Sequence, residues 1–202
     1  DRDWSSDVCS SDLKGGFWME LRNWFDKGMT YDEYIGQMTR NKENMLSIGE
    51  QFILRDELKK QAESLKPKKL RAIALTEDWC GDAMVNNPIL MQIAGSADMS
   101  VRFLLRDQNL ELMDQYLTNG KSRSIPKYIF IDQEGKEYAV WGPRAPKVQA
   151  FIDEERAKLP AQEDPEFQER QRTMYQEITK RFLDDRDFWN HIAEDILATL
   201  QK

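Results

Sequence analysis

The stretch that most restricts what this chain can become is residues 71–91, RAIALTEDWCGDAMVNNPILM. A short apolar run passes through an acidic-aromatic step into one cysteine, then into an apolar helical pattern interrupted by a proline. Arg71–Thr76 has the length and composition of a buried strand, and the period changes after Trp79. Cys80 therefore stands where a strand gives way to a helix. Unpaired backbone N–H groups and the positive end of the helix dipole collect there and favour thiolate over thiol. Glu77, Asp78 and Asp82 lie close in sequence and push the other way when ionised. The dipole contributes about 0.3 to 1 kcal/mol, comparable with the opposing charges, so a weakly to moderately reactive thiol is expected.

Trp79-Cys80-Gly81, with Pro88-Ile89-Leu90 after it, resembles the active-site strand-turn-helix of the thioredoxins. VRFLLRD at 101–107, SIPKYIFID at 124–132 and EGKEYAVWG at 134–142 follow in that family's order. The resemblance covers residues 70–159. It implies an α/β fold with a thioredoxin-like core, β-α-β-α-β-β-α, carrying extra helices at both ends. It also implies that Cys80 is the nucleophile and that the Ile125-Pro126 bond is cis and faces it, leaving the Ile125 backbone to pair with a substrate strand. Trp79, Gly81, Asp82, Ile125 and Pro126 would then share one groove, with Trp79 either core or groove wall. Asp78 and Lys127 stand as tuning residues, Lys127 either stabilising the thiolate or pointing to solvent. Gly142 matches the family's close-approach glycine. Two family parts are missing: the resolving cysteine's place holds Ala83, and the buried acid's place holds Ala74. Both serve the same step, so the chain cannot run a two-cysteine cycle alone.

Four segments are expected. Residues 1–13 resemble a translated sequencing-library adapter and read as an assembly scar; setting them aside removes Cys9 and leaves one cysteine, which forbids an intramolecular disulfide. Residues 14–66 read as a helical extension. Within it, 28–64 forms two or three helices, started by a Thr30/Glu33 capping box and broken near Gly36 and Gly49. Residues 67–159 are the core, with strands at 71–76, 99–106, 127–132 and 137–141 and a tight turn at 133–135. Its helices follow Cys80 and span 109–118 and 146–159, the former closed by Asn119-Gly120. The right-handed crossover rule makes its first two strands parallel neighbours. Residues 160–202 form a second helical extension, with helices at 167–182 and 187–200 that pack on the core.

A net charge of −7 with no basic stripe argues against nucleic acid and anionic membrane surfaces as partners. No run has the apolar length of a membrane span and no signal segment is visible, so a cytoplasmic protein is expected. One usable cysteine and one histidine, His191, provide no thiolate cluster for a metal, and His191 reads as a surface or packing residue. No cofactor is expected beyond a low-molecular-weight thiol as co-substrate. The expected function is monothiol exchange: Cys80 attacks a protein or small-molecule disulfide and an external thiol releases it. The alternatives are a non-catalytic binding or adaptor module with an incidental cysteine, and a thiol redox sensor.

Overall fold

The computed structural model describes residues 19–201, so the scar assigned to residues 1–13, with Cys9, lies outside the described residues. Among the described residues four α-helices precede the first strand: α1 (Leu21–Lys27), α2 (Tyr31–Gln37), α3 (Lys42–Gln51) and α4 (Asp56–Glu63). The capping box forms at the start of α2. Thr30 Oγ1 accepts from the Glu33 N–H and the Glu33 carboxylate from the Thr30 N–H, each at 3.2 Å. As expected, residues 28–64 form three helices broken near Gly36 and Gly49, which lie in the last turns of α2 and α3. Both helices end where side chains from elsewhere take their terminal groups. The Gln92 amide donates to the carbonyls of Gly49 and Phe52 at the end of α3, and the Asp78 carboxylate takes backbone donors just after α2.

The chain then runs β1 (Arg71–Thr76), α5 (Gly81–Ala97), β2 (Ser100–Leu105), α6 (Leu110–Met113), β3 (Lys127–Ile131), β4 (Glu137–Trp141) and α7 (Pro146–Ala157). The strands form one mixed sheet, ordered β2-β1-β3-β4. β1 and β2 are parallel; β1–β3 and β3–β4 are antiparallel. The helix expected over 109–118 stops at Met113. Its carbonyls are finished by turns at Gln115 and Tyr116, and Asp114 is gripped by the Arg123 guanidinium at 2.8 and 3.0 Å. Asn119 and Gly120, both at positive φ, make the turn of the Thr118–Ser122 bridge rather than a helix cap.

Alternating residues along β1 and β3 serve two cores. Ala72, Ala74, Tyr128 and Phe130 face a large cluster filled by the helices of both chain ends. Ile73, Leu75, Ile129 and Ile131 face a smaller cluster with Trp24 and Phe25 of α1, Leu112 and Met113 of α6, and Cys80. Cover on both faces is what two nearly fully buried strands require. Two further helices, α8 (Phe167–Asp184) and α9 (Arg186–Leu200), complete the large cluster. α9 packs on α5, α4 and β4, burying Trp189, Ile192 and Ile196, while α8 reaches α5 and α7. Among the described residues no helix is long and apolar enough to cross a membrane.

Candidate functional site

β1 brings the chain to the site and α5 carries it away, with Cys80 between them as the helix N-cap in extended conformation. Its Sγ accepts from the Ala83 N–H at 3.5 Å, taking the place a serine or aspartate oxygen usually fills. The thiol donates to the Ile125 carbonyl at 3.5 Å, and the Ile125-Pro126 bond is cis. Gly142, at φ +124°, sets this corner: a Cβ there would stand 2.2 Å from the Pro126 carbonyl oxygen. Only glycine permits that approach. A Cβ on Gly81, by contrast, would meet nothing closer than Phe182 at 4.0 Å.

The two expected tuning residues do other work. Asp78 Oδ2 accepts from the Thr39 N–H at 2.8 Å, the Thr39 hydroxyl at 3.2 Å and the Arg40 N–H at 3.3 Å. It ties the α2–α3 loop to the step before Cys80. Lys127 is 6% exposed, so it does not point to solvent, and it is not among the charges that shift the Cys80 thiol. Its Nζ donates to Thr118 Oγ1 at 3.0 Å and the Gly142 carbonyl at 3.2 Å, and burial lowers its pKa.

The charges facing the sulfur are Asp82 and Arg144. Arg144 Nε and Nη2 donate to the two Asp82 carboxylate oxygens at 2.8 and 2.7 Å, a bidentate pair whose side chains are only 13% (Asp82) and 17% (Arg144) exposed. Sequence reasoning missed Arg144; its one signal was a basic residue just past Gly142. Burial pushes the Cys80 thiol up to about 11, and the Asp82 charge pushes the same way. The N–H groups of Ala83 and Asp82 and the Arg144 cation draw it down. The contest between dipole and acids expected from the sequence is therefore decided by burial. At neutral pH such a thiol is ionised in roughly one molecule in 10⁴.

A cavity of about 540 Å³ opens on Cys80, bounded by the start of α5, by Arg144 with Ile152 and Arg156 of α7, and by Ile178 and Phe182 of α8. Trp79 forms part of its wall. That ring is 43% exposed, with the Arg106 guanidinium 4.9 Å from its centroid. Ile125 and Pro126 are buried and take no part in the wall. The expected groove is thus divided: Trp79, Gly81 and Asp82 lie on the open side of the sulfur, Ile125 and Pro126 on the closed side. The wall from α8 was not legible in the sequence, because an amphipathic helix does not name the surface it will cover. A larger hollow, about 650 Å³, lies on the outer face of α8 among glutamines and Arg172 and holds no nucleophile.

Behind the site, Ala74 pairs across the sheet with Tyr128. The Tyr128 hydroxyl donates to Asn87 Oδ1 at 2.6 Å, Asn87 Nδ2 donates to Thr76 Oγ1 at 3.1 Å, and the Tyr34 hydroxyl meets Thr76 Oγ1 at 3.1 Å. Burial raises both tyrosine pKa values, so the chain stays neutral. A neutral network fills the region where a titrating acid would serve a second cysteine. His191 sits on α9, 3.6 Å from Glu194 and off the cavity wall. Among the described residues no cluster of three or more His, Cys, Asp or Glu side chains is placed to hold a metal ion.

A family model described as Thioredoxin matches residues 28–158. Two solved structures superpose over 91% of this chain and 98% of their own, each at 14% identity. One is a Pseudomonas aeruginosa protein of unknown function, with a TM-score of 0.66; the other is an HIV epitope-scaffold, at 0.67. At that identity the likeness speaks to the fold alone. It extends beyond residues 28–158, so helices outside the family match belong to the shared architecture. No curated protein matches the chain.

Proposed function

The chain belongs to the thioredoxin family, and from that premise we propose that it is a monothiol exchanger acting through Cys80. In the proposed cycle the Cys80 thiolate attacks a disulfide RSSR. The Cys80–SR bond forms, the S–S bond of RSSR breaks, and one equivalent leaves as RS⁻, which takes a proton from water. A second thiol R′SH then attacks the mixed disulfide, releasing RSSR′ and restoring the Cys80 thiol, so oxidising equivalents balance without a second protein sulfur. A cytoplasmic setting, with its pool of reduced thiols, suits the second step.

The observation that carries the reading is the sulfur's position: capping α5, beside Ile125, at the base of an open cavity. A resting thiol with a pKa near 11 makes attack slow at neutral pH, which sets a modest exchange rate. The same burial favours a second reading, a binding module whose cysteine only packs. The experiment is mass analysis of the reduced Cys9→Ser protein after incubation with 2-hydroxyethyl disulfide. A single adduct on Cys80, reversed by added thiol and absent from Cys80→Ser, is the expected result. No adduct on the folded protein at pH 9 would leave only the binding module.

A further inference from the structure

Resting on the monothiol reading above, we propose that the cavity selects a small disulfide bearing a carboxylate, and that Arg156 is the residue that recognises the carboxylate. The inference starts from which side of the sulfur is open. A peptide substrate that adds a strand needs free backbone beside the cis-proline, but Ile125 is 5% exposed, Pro126 is buried, and the Ile125 carbonyl already accepts from the Cys80 thiol. Neither residue borders the cavity. The route to the sulfur lies on the opposite side, between α7 and α8, in a volume of about 540 Å³ suited to a small molecule.

The chemistry of that volume is polarised. Ile152, Ile178 and Phe182 give it apolar walls, which suit a methylene chain flanking a disulfide. Two of its lining residues are cationic and one is anionic. Arg144 is committed to Asp82 by two hydrogen bonds and donates further to Gln149. Arg156 lines the same cavity and is exposed at the end of α7, and its guanidinium makes no ion pair or hydrogen bond among the described residues. A planar guanidinium available at the mouth, above an apolar channel ending in a thiol, fits a carboxylate a few methylenes from sulfur. The exchange is the one already balanced: RSSR supplies the oxidising equivalents, and RS⁻ leaves carrying the second carboxylate.

Three disulfides of similar size and different charge test this on the reduced Cys9→Ser protein: 3,3′-dithiodipropionate, 2-hydroxyethyl disulfide and cystamine. The rate of Cys80 adduct formation, read by mass and divided by the rate with free cysteine under the same conditions, should be about fivefold higher for the dianion than for the neutral compound, and lowest for the dication. Arg156→Gln should bring the anionic-to-neutral ratio to about one. Lys180→Gln, which removes a cation from α8 away from the cavity wall, should leave the ratio as it was. Adducts from all three at equal relative rates, or a ratio that survives Arg156→Gln, would overturn the assignment while leaving monothiol exchange standing. No adduct from any of them would remove exchange and this inference together.

Discussion

Asp82 and Arg144 pull the Cys80 thiol in opposite directions, and one substitution in each separates them. Asp82→Asn removes the charge that raises the thiol pKa and leaves the Arg144 cation facing the sulfur, so the pKa should fall and alkylation by iodoacetamide at pH 8 should quicken. Arg144→Gln should slow it and, by stranding a largely desolvated carboxylate, cost about 3 kcal/mol of stability. Equal alkylation rates in the two variants, each shown to be folded, would mean that the pair does not govern the sulfur. Half of this pair was legible in the sequence: Asp82 sits two residues after Cys80, whereas Arg144 is 62 residues away from Asp82 and nothing local pairs them. Lys127 misled for the opposite reason. Its place next to Pro126 suggested a role toward the sulfur, but its ammonium is held by two acceptors, Thr118 Oγ1 and the Gly142 carbonyl.

At the scale of elements, α8 decides how the nucleophile is met. Phe182, 3% exposed, and Ile178, 6% exposed, close the cavity over the start of α5 and contribute to the desolvation that keeps the thiol protonated. Phe182→Ala should therefore admit water, lower the Cys80 pKa toward the ordinary thiol value and speed its alkylation at pH 8, at a cost of about 3 to 5 kcal/mol in stability. Unchanged alkylation with the expected loss of stability would show that α8 only packs. The existence of α8 and α9 could be read from apolar positions at helical spacing, and the capping box at Thr30 was equally plain. Their docking could not. The ends of α2 and α3 fall one and two residues past Gly36 and Gly49, near where those glycines put them, but the partners that take their terminal groups, Asp78 and Gln92, are distant in sequence and could not be read.

Across the whole molecule, the sheet was the most legible part because its signals are local and ordered. The apolar run before Cys80, the Ser-Ile-Pro step and the hairpin at Gly135 each mark one strand; the crossover rule then gives parallel β1–β2 and the tight turn antiparallel β3–β4. What was not legible is collective: how deeply a fold of this size sinks one sulfur. That depth has a sign that can be checked. A thiol held in its neutral form keeps its proton to higher pH than in the unfolded chain, so its reactivity should continue to climb where a free cysteine has levelled off. The direct measurement is the pH profile of iodoacetamide alkylation of Cys80 in the Cys9→Ser protein, folded and in denaturant. The unfolded chain should level off near the ordinary value of about 8.5, and the folded chain should rise tenfold per pH unit until about pH 11. A folded profile that levels off at or below that of the unfolded chain would show that the fold does not hold the Cys80 thiol in its neutral form.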